Sequence, residues 1–425
     1  GVVFYTNPDT FNSFLANNKT IGEQAGGLAG SLATGVLVQP KSGTYYNQIQ
    51  QIHRVQSANY SFTINRTDVN TFGTLARIDA IVLEPPTVSL DFSYYPTDGF
   101  NERNLGFYIQ GLAGKGQGMG AIQLNSVSGH LQDDAAGRNY FILTTPEGTD
   151  AFNTTRAIAD RSVISLGNGF LSDYTIDAAV GSIPNASCTV ELFNAKSDIG
   201  TTGVDIPAVD LKDGTPVADT HFTVGHPQWS DTAKTVEFRG DDQGMVPSTG
   251  DVTATALRPG DITLELPDGL SIFADVSGDG AMHIQNFSLS IPLARTPIDR
   301  LGTRFAFSRV VDFPVVSTLS VSALISETNQ GNLATILDDC TEHNVRIRMK
   351  ANQSCGLGVA TDSIIIDFKG ARVDSESMSS DIGSNKSVDL TFTTQIGGPE
   401  DLTRGVFMSG ANSTTIPQWF PTPSK

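Results

Sequence analysis

Val88-Ser89-Leu90-Asp91-Phe92-Ser93-Tyr94 alternates strictly between apolar and polar side chains. Successive side chains of a β-strand point to opposite faces of its sheet, so this pattern predicts a strand with one buried and one exposed face. The same alternation occurs in residues 60–64, 287–293 and 388–392, and Gly, Asn, Asp and Pro residues separate such runs as turns. Because long amphipathic helical patterns are scarce, the sequence predicts a mostly β fold.

The composition limits the possible classes of protein. The chain has 425 residues, of which 39% are hydrophobic and 17% charged, so it can bury a sizeable core. Its length predicts about two or three domains. The formal net charge of −18 argues against a nucleic-acid-binding surface, because neutralising phosphates requires clustered Lys and Arg.

Cysteines and apolar runs give no sign of export or membrane insertion. The three cysteines, Cys188, Cys340 and Cys355, contain no CxxC pair, which predicts neither a disulfide framework nor a zinc site. No apolar run reaches the length of about eighteen residues that a spanning helix needs. Residues 1–5 lack the charged and apolar regions of a secretory signal, and we expect synthesis in a reducing cytoplasm.

The chain contains an internal repeat. Residues 55–92 align with residues 284–321 without a gap, and the apolar positions of the two segments coincide. A slip of one residue would turn every side chain to the other face, so a shared register indicates duplication. The weaker continuation pairs Asn139 with Asn344 and Gly181 with Gly383. Six identical positions are candidate structural or subunit contacts: Arg66 with Arg295, Gly73 with Gly302, and Pro85 with Pro314.

Arg66 and Arg295 each end a predicted strand and precede a threonine. A guanidinium suits an ion pair with a carboxylate between subunits or domains. A local turn contact explains the two arginines equally well, and both interpretations stay open here.

The repeat divides the chain into five segments. We predict an N-terminal arm over residues 1–35, a first β domain over 36–195 and a second over 251–410. The Asp-, Gly- and Pro-rich residues 196–250 are assigned to a linker, and residues 411–425 to a C-terminal arm. Such arms can become ordered against a neighbouring subunit.

No motif indicates catalysis, a metal or a cofactor. The run Gly114–Gly120 lacks the Gly-Lys-Ser/Thr order of a phosphate-binding loop and predicts a flexible glycine loop. Residues 275–280 begin like a calcium loop, but Asn286 stands where a bidentate Glu is required. The six histidines show no paired-ligand spacing. We therefore expect no enzyme, metal site or cofactor.

Three segments carry a family resemblance: Ser57–Val69 (SANYSFTINRTDV), Val88–Tyr95 (VSLDFSYY) and Leu166–Leu171 (LGNGFL). In this order they resemble the major tail tube proteins of tailed bacteriophages. The second repeat resembles the family more loosely, through Arg295, Gly302, Pro314 and Leu319. The whole chain is similar to the fused members of that family, which carry two tube domains.

The resemblance implies two tandem tail-tube-like β-sandwich or barrel domains with short helices. Three chains would supply six domains to a pseudo-hexameric ring, and stacked rings would form a hollow tube in the virion. The implied partners are further copies of the chain and the tape measure, terminator and distal tail proteins, with genomic DNA passing through the lumen without specific binding. The candidate ring-stacking loop comprises Gly114, Lys115, Gly116, Gly118 and Gly120.

Two other functions are consistent with a β-rich chain. A distal tail or baseplate hub protein shares the fold and would form a single ring. A carbohydrate-binding tail adhesin predicts clustered aromatic side chains, but the two tryptophans, Trp229 and Trp419, lie in loop-like segments.

Overall fold

The structure is a computed structural model that describes 2–6, 40–41, 44–46, 50–52, 54–111, 125–131, 138–144, 162–199, 203–205, 207, 209, 221–223, 228–230, 235–237, 257, 259–265, 282–302, 305–306, 308–325, 342–351, 361–380, 385–398 and 401–410. Strands dominate these residues, which confirms the mostly β prediction.

The strands of the first half are β1 Val2–Thr6, β2 Pro40–Lys41, β3 Thr44–Tyr46, β4 Gln50–Gln51, β5 Val55–Thr63, β6 Arg66–Val69, β7 Asp79–Val82, β8 Thr87–Tyr94, β9 Ile109–Gly111, β10 Arg138–Thr144, β11 Ser162–Ala179, β12 Asn185–Leu192 and β13 Asn194–Ile199. A short helix, α1 Phe100–Leu105, and a 3₁₀ turn, Ser126–Gly129, accompany them.

The second half contains β14 Gly203–Asp205, β15 His221–Thr223, β16 Gln228–Ser230, β17 Thr235–Glu237, β18 Ile262–Glu265, β19 Met282–Pro292, β20 Arg295–Ile298, β21 Ser308–Val311, β22 Val316–Ile325, β23 His343–Ala351, β24 Thr361–Ser379, β25 Ser387–Gln395 and β26 Gly405–Gly410. A second 3₁₀ turn covers Pro259–Asp261.

One continuous antiparallel run of strands forms the centre of the molecule. Its order is β5–β8–β12–β11–β19–β22–β25–β24, and it belongs to a 16-stranded sheet. The first four strands come from one repeat and the last four from the other. The two halves meet where β11 pairs with β19.

The pairing pattern occurs twice, down to its irregularities. β5 pairs with β8 as β19 pairs with β22, β10 with β11 as β23 with β24, and β11 with β12 as β24 with β25. Each pair of ladders breaks register at equivalent residues: Val55/Ser57 and Ile284/Asn286, Arg138/Tyr140 and His343/Val345, Leu171/Asp173 and Val373/Ser375. These coincidences extend the sequence alignment into regions where identities are few.

A matched hydrogen bond accompanies the second of these bulges. The side-chain oxygen of Asn139 accepts from the N–H of Asn168, and that of Asn344 accepts from the N–H of Gly370. Asn168 has a φ of 54° and Gly370 a φ of 66°, a left-handed conformation that Asn and Gly tolerate best. The repeated asparagine therefore bonds to an equivalent left-handed residue in each long strand.

The buried faces follow the alternation predicted from the sequence. Val88, Leu90, Phe92 and Tyr94 on β8 are all at most 3% exposed. Equivalent faces of β12, β22 and β25 are buried with them in one hydrophobic cluster. Burial of each large apolar side chain contributes roughly 1.5–3 kcal/mol, so this cluster dominates the stability of the sheet.

Parts of the predicted N-terminal arm and linker form strands in the structure. The start of the predicted N-terminal arm forms β1, which pairs with β10, and residues 7–35 lie outside the described parts. Within the predicted linker, β14 pairs with β15, and β16 pairs with β17 and β3. The C-terminal arm, residues 411–425, is also outside the described parts, and no helix in the described ranges is long and apolar enough to cross a membrane.

Candidate self-association surface

The internal junction is the pairing of Asp173–Ala179 on β11 with Asn286–Pro292 on β19. Tyr174 lies opposite Ile291, and Ile176 lies opposite Leu289. All four of these side chains are at most 1% exposed. The two repeats are thus joined by a continuous ladder of backbone hydrogen bonds with an apolar, fully buried face.

The hairpin β20–β21 strengthens this junction by reaching across to the first repeat. The Arg295 guanidinium donates hydrogen bonds to the carbonyl of His130 and, at 3.1 Å, to the carbonyl of Arg309. It also lies 4.8 Å from the ring centroid of Phe170. Arg295 therefore makes a local hairpin contact and a contact with the first repeat, through carbonyl oxygens and a ring.

Arg309 forms an ion pair between repeats. Its guanidinium pairs with the carboxylate of Glu191 and lies 4.2 Å from the ring centroid of Phe193. Burial lowers the pKa of Arg309, and the nearby Glu191 opposes that effect. The sequence did not indicate this residue, because Ala80 stands at the equivalent place in the first repeat.

His130 of the first repeat lies beside Arg295 and has a neutral imidazole. The pKa of His130 lies well below its usual value, chiefly because it is buried and also because Arg138 and Arg295 are near. Its ring packs edge-on against Phe107 with centroids 4.6 Å apart. A neutral His130 adds no like charge beside the two arginines.

β5 has the same sequence pattern as β19 but a different environment. Tyr60, Phe62 and Ile64 are 41%, 61% and 42% exposed. Their equivalents Leu289, Ile291 and Leu293 are at most 1% exposed. β5 is the first strand of the run and is paired only with β8 among the described strands. Its apolar face, which the alternation predicts to be buried, is left largely exposed by the part of the chain that the structure describes.

The hairpin β6–β7 shows the same contrast with β20–β21. Arg66 is exposed, whereas Arg295 is 8% exposed. Val82 is 47% exposed, whereas its equivalent Val311 is 4% exposed. The surface that packs on a neighbouring repeat in the second half of the chain therefore faces solvent in the first half.

At the opposite end of the run, β24 has a free edge equivalent to the edge of β11 that pairs with β19. Residues 372–379 of β24 pair with β25 on one side and with no other strand among the described residues. They are equivalent to the part of β11 that pairs with β19. Met378 is 36% exposed, whereas its equivalent Ile176 is 1% exposed. Each end of the run thus carries a strand equivalent to one side of the internal junction.

Comparison with known proteins adds no relationship: no protein-family model matches the chain. A search of curated proteins finds no match either.

A second apolar feature occurs at the tips of both hairpins. Phe72 and its equivalent Leu301 have relative exposures of 105% and 101%. Each is followed by a glycine with positive φ, 99° at Gly73 and 89° at Gly302, so both tips make the same kind of turn. Because these side chains are exposed in both repeats, the junction that buries β19 does not account for them.

One buried carboxyl group lies behind the junction. Glu102 on α1 accepts hydrogen bonds from the hydroxyls of Tyr94 at 3.0 Å and Tyr174 at 3.2 Å. Burial is the main cause that raises the pKa of Glu102 to about 7. Its second oxygen has no hydrogen-bond partner within the described part of the chain. No group of acidic, His and Cys side chains suited to a metal occurs in that part either.

The other predicted site residues are dispersed. Pro85 is half-buried, and Pro314 is exposed and follows a cis peptide bond. The predicted stacking loop around Gly114–Gly120 and the calcium-like residues 275–280 lie outside the described residues. Of the predicted set, the structure brings Arg295 into the internal junction and leaves Arg66 on the equivalent free surface.

Proposed function

We propose that this protein is a structural subunit that assembles head to tail into rings, and that the rings stack into the tail tube of a bacteriophage. The observation that supports this best is the contrast between β5 and β19. The apolar face of β5 is exposed, whereas the equivalent face of β19 is buried beside β11. The strand that would cover β5 is therefore the free edge of β24 in a second copy of the chain.

The internal junction supplies the register of this contact. We name the contact between chains the external junction: residues 375–379 of one chain pair with residues 59–63 of the next. Ser377 then lies opposite Ser61, Glu376 opposite Phe62, and Met378 opposite Tyr60. Covering the apolar face of β5 provides a favourable free energy, and pairing removes two strand edges that would otherwise promote aggregation.

A head-to-tail contact repeated by rotation closes into a ring. With two similar repeats in each chain, three chains supply six similar units, which is the stoichiometry that the family resemblance implies. The net charge of −18 suits a wall past which DNA moves, since carboxylates repel phosphates. No specific DNA contact is required.

The hairpin tips are the surfaces that best suit stacking of rings. Phe72 and Leu301 are fully exposed and occur at equivalent places in the two repeats, so a closed ring would present six such tips. An apolar residue exposed at a fixed place gains free energy when another ring covers it. The predicted contribution of the Gly114–Gly120 loop remains a proposal beside these tips.

Electron microscopy of the purified protein at high concentration tests the proposed function. Hollow tubes built of rings with six similar lobes and three chains each are the expected result. Rings that never stack would favour a distal tail or hub protein. Chains that stay monomeric at every concentration, and do not add to isolated phage tails, would exclude both.

A further inference from the structure

The internal and external junctions share one register but differ in the residues that form them. The inference drawn from this difference rests on the proposed head-to-tail assembly. The first repeat contributes Phe170, Tyr174 and Phe193 to the internal junction, all at most 4% exposed. The equivalent residues of the second repeat are Arg372, Glu376 and Gln395. Three buried aromatic side chains are therefore replaced by two charged groups and an amide.

We propose that Glu376 and Arg372 set the strength of the external junction, so that free chains join only above a threshold concentration or on a preformed ring. The partner is a second copy of this chain. The internal junction, with aromatic residues at these positions, holds the two repeats together permanently.

Glu376 acts on the face of the sheet that contains the main core. Its equivalent Tyr174 is fully buried opposite Ile291. In the external junction, Glu376 is placed opposite Phe62, a ring that is 61% exposed in the single chain. Covering Phe62 withdraws the Glu376 carboxylate from water, and desolvating a charge opposes association.

Arg372 acts on the other face, where Phe170 packs with Phe193 in a separate cluster. Arg295 lies over Phe170 in the internal junction. The same register brings Arg66 of the next chain to Arg372, so two guanidinium groups replace a favourable cation–ring contact.

Glu342 offsets only part of this repulsion. Its carboxylate lies 3.8 Å from Arg372 and only 2.6 Å from Arg404, which Asp401 also neutralises in part. Arg66 would add a third positive charge to the group. The second face therefore also makes the external junction weaker than the internal one.

The test places the aromatic residues of the internal junction at the equivalent positions of the external junction. Wild type, Glu376→Tyr, Arg372→Phe and the double variant are compared by sedimentation over a range of protein concentrations. Glu376→Gln separates loss of charge from gain of a ring. Thr263→Tyr, at an exposed position on β18 and outside the junction, controls for an added surface tyrosine on a strand.

We expect each restoring substitution to lower the threshold concentration by about tenfold or more, and Glu376→Gln to have a smaller effect in the same direction. Thr263→Tyr should leave the threshold unchanged. Thermal unfolding of the dissociated chains identifies a variant that fails to fold, and the Arg372 and Glu376 variants test the proposal independently on opposite faces.

Two results distinguish the possible failures. If wild type forms rings at high concentration but folded Glu376→Tyr and Arg372→Phe assemble at the same or a higher threshold, the charged residues do not set the strength and the proposal is overturned. If no chain forms rings at any concentration, head-to-tail assembly itself is wrong.

Discussion

Phe62 and Ile291 occupy the same position in two copies of one strand, yet Phe62 is 61% exposed and Ile291 is completely buried. The strand beside Ile291 is β11, and β5 lacks such a neighbour among the described strands. The proposed assembly accounts for this unequal burial: the chain makes the contact once internally and, in the proposed ring, once with the next copy. This contrast, and the groups around it, can be tested directly.

Paired cysteines at Ser61 and Ser377 should cross-link neighbouring chains. Residues directly opposite in an antiparallel pair have Cα atoms about 4.5–5.5 Å apart, a spacing that a disulfide can bridge. Oxidation of assembled Ser61→Cys/Ser377→Cys protein should give covalent trimers on non-reducing gels. Each single variant is the control, and dimers formed equally well by the single variants would contradict this register.

Arg66→Ala and Arg295→Ala should differ in their effect on the stability of the fold. Arg295 is buried against His130, Arg309 and Phe170, so its loss should lower the free energy of unfolding by about 2 kcal/mol. Arg66 is exposed, and its loss should change that free energy by less than about 0.5 kcal/mol. Urea titration of dissociated chains measures both; an equal loss in the two variants would refute the assigned environments.

Phe72→Ser and Leu301→Ser should impair stacking of rings without affecting the fold. Both side chains are fully exposed, so each variant should unfold within about 0.5 kcal/mol of wild type. Micrographs of the double variant should show rings or short stacks in place of long tubes. Tubes of normal length in the double variant would assign stacking to another surface.

Stability should fall as pH rises from about 4.5 to about 7, because Glu102 is buried. Its pKa is raised from 4.5 in the unfolded chain to about 7, so the folded state binds an extra proton between these values. The favourable contribution is complete below pH 4.5 and is lost as pH increases to about 7; it amounts to about 3 kcal/mol.

Glu102→Gln isolates this effect. The amide oxygen can still accept from Tyr94 and Tyr174 but carries no titrating proton. The difference in unfolding free energy between wild type and variant should therefore change by that amount between pH 4.5 and pH 7. A difference that is flat over this range would show that Glu102 does not titrate there in the folded state.

Strand character, the register of the repeat and the apolar face of each strand could all be predicted from the amino-acid sequence. These properties are local: alternation has a period of two, and a gap-free match of residues 55–92 with residues 284–321 fixes equivalent positions whatever lies beside them. The paired glycines also follow from local geometry, because Gly73 and Gly302 both adopt a positive φ at equivalent turns.

Which copy of each strand is covered could be learned only from the folded chain. Burial depends on the neighbouring strand, and β5 and β19 have the same pattern but different neighbours. The ion pair of Arg309 with Glu191 and the burial of Glu102 likewise join residues far apart in the chain, and no local pattern encodes such distances. Local alternation therefore specifies two similar units, and long-range strand pairing leaves one half of their junction at each end of the central run of strands.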